Sequence, residues 1–395
     1  MPHIALKNRK IAGICVVDKL LLHSYRKSNV ISIFLHLWSF QMTKGVNEKR
    51  CKKNNTYTLT SIILYFSMAQ VENTILAKTC TKQGLNPVKT YICGCVRNCA
   101  KYLPAVLKNI KNIGELFDDY QIVIAYDYST DPSLIILQQM KEQFFPTMEI
   151  ILGPMEELTG IRTQNICNAR NRILDYVQND ATTENRGDYE YMIMMDMDDV
   201  CSGRMNLDLL QKHVDQERME CADTRNIDPW DALSFNRKEY YDIWALSLDP
   251  YMFSCWNFTN AKRVVKETQK YVEEKLEILL KENSDGLLSC ASAFNGFAIY
   301  RLKAFTGVRY EWNINKSILL FSKEILDKNC KIVGGQIRKT VDQNDCEHRY
   351  FHMRATERNG ARICISPQCL FLDYVSNGVM INMNERSKQG TFLFV

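Results

Sequence analysis

The apolar run Tyr191-Met192-Ile193-Met194-Met195 passes directly into Asp196-Met197-Asp198-Asp199, and this junction constrains the fold more than any other segment. Five apolar residues without polar alternation read as a strand buried on both faces, as in a parallel sheet covered by helices. Such strands rarely end in three carboxylates, because crowded carboxylates repel and raise one another's pKa. A divalent cation relieves the crowding. Mg²⁺ and Mn²⁺ take hard oxygen ligands and often share them with substrate phosphates. Alternation places Asp196 and Asp198 on one side of the strand and leaves Asp199 to turn into the next loop. The pattern suggests a metal–diphosphate site at the carboxyl end of a central strand, where open α/β sheets hold their ligands. A polar turn, or the N-cap of a helix starting near Asn206, is the plainer reading of the same residues.

The 395 residues suffice for one large α/β domain or two ordinary ones. The net charge of +5 is unevenly placed. Residues 1–55 hold 11 Lys/Arg against 2 Asp/Glu, and the remainder 39 against 43. The presumed globular part is thus slightly acidic, which argues against a nucleic-acid-binding face. The 15 cysteines are dispersed, and their odd number fits a reducing, cytoplasmic setting better than a secretory one. Cys93, Cys95 and Cys99 lack a second ligand pair for zinc and read as structural thiols. No stretch reaches the roughly 20 apolar residues of a membrane span.

Residues 1–88 form a basic N-terminal extension without a strand–helix pattern, expected to be poorly ordered, and Met68 would serve well as a start. From Lys89 onward strands and helices alternate. Strands are expected at 91–96, 121–125, 148–152 and 189–195, with helices at 100–116, 132–144 and 164–177 between them. That order predicts a mainly parallel, doubly wound sheet. Downstream the pattern is mixed: strands or their flanks at 230–235 and 243–246, helices at 264–281 and 318–326, and a late strand at 363–365. The tail, residues 373–395, is polar and unpatterned.

Four further groups carry chemistry. Asp127, closing the second strand, can meet a ribose or a base edge, whereas Asp131 reads more simply as a turn and cap residue. Arg170 stands in a helix within Asn168-Ala169-Arg170-Asn171. In Phe294-Asn295-Gly296-Phe297 the glycine permits close backbone approach of a ligand, as it would a β-bulge. Asp345-Cys346-Glu347-His348 sets an imidazole beside two carboxylates, and His352 follows.

Together, and in this order, these motifs resemble the GT-A class of nucleotide-sugar glycosyltransferases. The segments Val96-Arg97-Asn98, Asp127 to Asp131, Asn168 to Asn171 and Met195 to Asp199 look like that class's donor-binding half. A closer likeness is to the glycosyltransferases of large DNA viruses and the capsule-associated mannosyltransferase-like group. It rests on Trp230-Asp231-Ala232-Leu233, Tyr240 to Leu246, Phe294 to Phe297 and Cys346-Glu347-His348. The resemblance implies a GT-A-like domain over 89–372, with a donor half at 89–205 and an acceptor half at 206–372. It further implies Mn²⁺ or Mg²⁺ held by Asp198, with Asp196 against the ribose or sharing the metal and His348 as a late ligand. Arg97, Asp127, Arg170, Asn295 and Gly296 would then lie at a UDP- or GDP-sugar donor. The acceptor would be a glycan or another hydroxyl compound. Asp231, Asp242, Asp345 and Glu347 are the candidate bases, and the sequence does not choose among them. Two other readings stay open: a sugar nucleotidyltransferase, although no Gly-rich loop follows the first strand, and a non-catalytic nucleotide- or glycan-binding protein.

Overall fold

The computed structural model describes residues 88–158, 160–180, 189–220, 230–338 and 344–372. The basic extension before Val88 and the tail from 373 lie outside the described residues. Val88 itself belongs to the fold: it is buried, and its N–H donates to Asp118 Oδ2 at 2.7 Å.

The first part alternates as the spacing predicts: β1 (Lys89–Val96), α1 (Leu103–Gly114), β2 (Asp119–Tyr126), α2 (Ser133–Gln143), β3 (Glu149–Leu152), α3 (Arg162–Asp180) and β4 (Tyr189–Asp196). In α1 the residues Leu103, Val106, Leu107, Ile110 and Ile113 recur at helical spacing and are fully buried, while Pro104 occupies the first turn, where its missing N–H costs nothing. A 3₁₀ turn, Asp199–Cys201, leads into α4 (Leu207–Glu220) and β5 (Ala232–Asn236). Then come α5 (Ala261–Glu282), β6 (Leu288–Cys290), β7 (Phe297–Arg301), α6 (Ile314–Ile318), α7 (Lys323–Val333), α8 (Glu347–Asn359) and β8 (Ile363–Cys369).

All eight strands join one sheet in the order β3-β2-β1-β4-β7-β5-β8-β6. The pairings β3–β2, β2–β1, β1–β4 and β5–β8 are parallel, so the expected mainly parallel α/β sheet is what forms. β7 runs antiparallel to both neighbours, and β6 is antiparallel to β8, which makes the C-terminal half mixed. The chain proceeds outward from β1 to β2 and β3, then returns to the other side of β1 with β4. The carboxyl ends of β1 and β4 therefore flank a topological switch point, the usual ligand crevice of such sheets.

Two local expectations fail. Residues 243–246 form turns rather than a strand, because Asp242 Oδ1 accepts from Ala245 N–H at 3.3 Å and closes the chain on itself. The single helix expected at 318–326 is two helices, α6 and α7. Ser322 breaks the run, its extended backbone and its hydroxyl, which accepts from Ile325 N–H, starting α7 afresh. The eleven described cysteines are all free. Among the described residues no helix is long and apolar enough to cross a membrane.

Candidate active site

Asp196 ends β4, paired in register with Cys95 of β1, and its N–H donates to Gly296 O at 2.9 Å. Met197 turns inward and is wholly buried, lying where a side chain on Gly94 would otherwise stand. Asp198 continues in extended geometry (φ −114°, ψ −153°), so alternation returns it to the Asp196 side, and Asp199 opens the 3₁₀ turn.

The two carboxylates have different surroundings. Asp196 Oδ1 faces Arg170 at 3.4 Å, and Asp196 Oδ2 accepts from the Tyr241 hydroxyl at 2.6 Å. Burial raises its pKa, and Arg170, the Tyr241 bond and Arg237 pull against that rise. Asp198 is 1% exposed: its Oδ1 accepts from Val200 N–H at 3.1 Å, while its Oδ2 is buried without a hydrogen-bond partner. Burial, then the charges of Asp196 and Asp199, push this carboxyl well above the usual range. A buried, unpartnered carboxylate oxygen is costly unless something arrives to meet it.

Among the described residues no three His, Cys, Asp or Glu side chains converge to form a complete cation shell. The donor set nevertheless fits Mg²⁺ or Mn²⁺, which commonly take one or two carboxylates and fill the rest with substrate phosphates and water. Asp198 Oδ2 is the oxygen open for that role. The joint shell expected from Asp196, Asp198 and His348 is not assembled. His348 is 1% exposed, with its ring stacked on Phe294 at 3.8 Å between centroids and edge-on to Tyr310. Neither ring nitrogen has a hydrogen-bond partner, and burial with the nearby Arg170 charge keeps the imidazole neutral. Its Nε2 lies 4.0 Å from Glu347 Oε1.

Arg170 is a buried strut. Its guanidinium joins Asp196 to Glu347, in the first turn of α8, and lies 4.8 Å from the centroid of Phe294. At the end of β2, Asp127 is 1% exposed and bonded to Arg172; burial raises its pKa, and Arg172 and then Arg97, after β1, pull against that rise. Gly153 leaves room for that pair, since a Cβ there would overlap both partners. Asn98 and Asp131 knit the β1 and β2 loops: Thr130 N–H donates to Asn98 Oδ1 at 2.8 Å, and Ala100 N–H to Asp131 Oδ2 at 2.9 Å.

Asn295 and Gly296, expected at the donor, are internal supports. Both have left-handed φ, 54° and 84°. Asn295 Oδ1 accepts from the N–H groups of Tyr241 and Asp242, and its amide donates to Phe235 O at 3.0 Å. Gly296 sits where a Cβ would overlap Val200.

Of the candidate bases, only Asp242 is half-buried beside the carboxylate cluster and free of a salt bridge, with its carboxyl pushed up to about 7 by burial and then by the charge of Asp196. Asp231 precedes β5 at its amino end, level with Tyr191 rather than Asp196, and is paired with Arg362 at 2.8 Å. Asp345 is fully buried against Arg349 at 3.0 Å, and Glu347 is committed to Arg170. Each of these three carboxylates is paired with an arginine.

The sequence reading missed three residues. Tyr241 and Arg172 were inside quoted motifs or beside them, but nothing local marks their partners. Arg237 is 3% exposed and clamps the junction, donating to Asn295 O at 2.8 Å and Val200 O at 2.9 Å.

Residues 91–260 match the family described as Glycosyl transferase family 2. No curated protein sequence matches the chain. Among solved structures, Staphylococcus aureus TarS 1–349 in complex with UDP-GlcNAc aligns at 12% identity and TM-score 0.36, over 74% of this chain and 60% of that one. The mannosyltransferase PcManGT from Pyrobaculum calidifontis, in complex with GDP-Man and Mn²⁺, aligns at 14% identity and TM-score 0.32, over 77% and 64%. Glucosyl-3-phosphoglycerate synthase from Mycobacterium tuberculosis aligns at 9% and 0.29, over 65% of each chain. The chain thus spans less than two thirds of each of these structures. The sheet is of mixed α/β architecture, and the family match covers residues 91–260 of the chain.

Proposed function

We propose that this chain transfers a sugar from a nucleoside-diphosphate donor, UDP- or GDP-linked, to a hydroxyl acceptor, with Mn²⁺ or Mg²⁺ as cofactor. The observation that carries this is Asp198 Oδ2, buried and unpartnered at the switch point of a sheet whose first strands match a glycosyltransferase family. When bound there, the cation offsets the charge of the departing diphosphate. Asp127, oriented by Arg172 and flanked by Arg97, faces the nucleoside. Asp196, fixed by Arg170 and Tyr241, holds the geometry beside Asp198. Asp242 takes the proton of the attacking hydroxyl; a carboxyl near 7 is tuned for that work at neutral pH. A cytoplasmic setting, which rests on the dispersed cysteines, and the narrower kinship with viral and capsule-associated enzymes, which rests on the C-terminal motifs, belong to the same reading.

The test is calorimetry with UDP- and GDP-sugars, with and without Mn²⁺, followed by chromatography of the mixture. Metal-dependent binding of one donor and release of its nucleoside diphosphate support the reading. A folded protein that binds no nucleoside diphosphate under any of these conditions overturns it.

A further inference from the structure

Backbone carbonyls in and just after the turn that follows Asp198 are held by side chains from distant parts of the chain. Val200 is bonded at both ends: its N–H donates to Asp198 Oδ1 at 3.1 Å, and its carbonyl accepts from Arg237 Nη1 at 2.9 Å. The carbonyls of Cys201 and Gly203 both accept from Asn109 Nδ2, at 2.9 and 2.8 Å. The Cys201 thiol donates to Gly296 O at 3.1 Å, the same carbonyl that accepts from Asp196 N–H at 2.9 Å. Arg237 is itself fixed: Nε donates to Asn295 O at 2.8 Å, and the guanidinium lies 4.5 Å from the centroid of Phe371. Beyond Gly203 the chain is tied to the end of the fold, Asn206 N–H donating to Leu370 O at 2.7 Å and Leu372 N–H to Arg204 O at 2.9 Å.

A 3₁₀ turn of three residues has poor hydrogen bonds of its own, so its shape is set from outside. Val200 and Cys201 are buried, and their carbonyls need partners. Asn109 stands among the buried residues of α1, which are otherwise Leu, Val, Ile and Gly. An amide in that position is unfavourable unless paired, and here one nitrogen serves two carbonyls. Asp198 has one open oxygen, Oδ2, and the other is fixed by Val200, so the setting of Val200 and Cys201 decides where Oδ2 points. Ligands of a metal site must be held to within about 0.5 Å by the groups behind them. We propose that Asn109 and Arg237 are positioning residues for cation binding at Asp198, acting through the backbone of the turn rather than as ligands. The proposal rests on the transfer reading above and adds two residues that the reading does not use.

The experiment titrates the full chain with Mn²⁺ in the presence of UDP or GDP, following free Mn²⁺ by its electron paramagnetic resonance signal. Calorimetry then gives the affinity for the same nucleotide at saturating Mn²⁺. Asn109→Leu keeps the volume and removes both hydrogen bonds; Arg237→Lys keeps the charge and loses the fork that reaches two carbonyls. In each, the Kd for Mn²⁺ rises about tenfold, while nucleotide affinity at saturating Mn²⁺ stays at the wild-type value. Asn109→Ser, which keeps one donor, recovers part of the loss, and Asp198→Asn abolishes Mn²⁺ binding. An unchanged Mn²⁺ Kd in both Asn109→Leu and Arg237→Lys, with binding still abolished in Asp198→Asn, overturns the positioning role while the transfer reading stands. Equal loss of nucleotide affinity at saturating Mn²⁺ marks a general structural role and also overturns it. A folded wild-type chain that binds no Mn²⁺ with either nucleotide overturns the cation assignment, and the positioning role with it. Should one of the two variants fail to fold, the other, together with Asn109→Ser, decides the matter.

Discussion

The Tyr241 hydroxyl donates to Asp196 Oδ2 at 2.6 Å, joining the loop after β5 to the end of β4 across 45 residues of sequence. Arg170 faces the other oxygen of the same carboxylate, so each oxygen of Asp196 has a protein partner. Asp198 is thereby left as the open carboxylate, and the division of labour between two residues of one short motif follows from partners far away in the chain.

Arg170 is the first place to test this arrangement. Replacing it with Met leaves Asp196 and Glu347 buried without their shared cation. The expected loss is about 3–5 kcal/mol of unfolding free energy, measured by urea denaturation. A variant as stable as the parent would show that the strut is not structural.

Asp198→Asn should act oppositely on stability and on cation binding. The folded-state pKa of Asp198 lies above its ordinary value, so the ionised carboxylate costs stability, and the cost grows as pH rises through that raised pKa. Removing the charge should raise Tm by roughly 2–5 °C at neutral pH, while Mn²⁺-dependent donor binding disappears from calorimetry.

The pH profile reports on Asp242. A general base must be ionised to work, and its carboxyl is held at about 7. Transfer should fall about tenfold per pH unit below that value and level off above it. Asp242→Asn should lose about 10²–10⁴-fold in kcat and flatten the profile. A wild-type profile that stays flat down to pH 5 would remove Asp242 from the role.

Gly296→Ala probes the scaffold rather than the chemistry. The glycine has φ +84°, and an added Cβ would overlap Val200 in the turn that follows Asp198. A cost of about 1–3 kcal/mol is expected from thermal unfolding, with weakened donor binding because the turn carrying Asp198 must shift.

What could be read from the sequence was local. Tyr191 to Asp198 disclosed a buried strand with carboxylates at its end because both signals lie within eight residues. The β1-to-β4 alternation was legible for the same reason, each strand and helix announcing itself by period and punctuation. The reversed direction of β7 was not, since an apolar run reads alike in either direction. Asp231 was a candidate base by resemblance of its motif, but only the register shows that it stands at the amino end. His348 looked like a ligand beside two carboxylates, yet Phe294 and Tyr310, 54 and 38 residues away, enclose it. Tyr241, Arg172 and Arg237 stayed hidden because their partners are brought to them only by folding.

The position of β7 also orders events during synthesis. β1 to β4 can pair as soon as they leave the ribosome, but β4 then presents an open edge until β7, about a hundred residues later, fills it. Glu347, the counter-charge to Arg170 at a separation of 177 residues, arrives later still, and β8 slots between β5 and β6 last of all. A nascent chain halted near residue 260 would carry the whole family-matched segment with an unsealed sheet and with Arg170 lacking one of its two carboxylate partners. Such a chain is a natural client for a chaperone, and translation speed through residues 260–370 should govern how much of the protein matures.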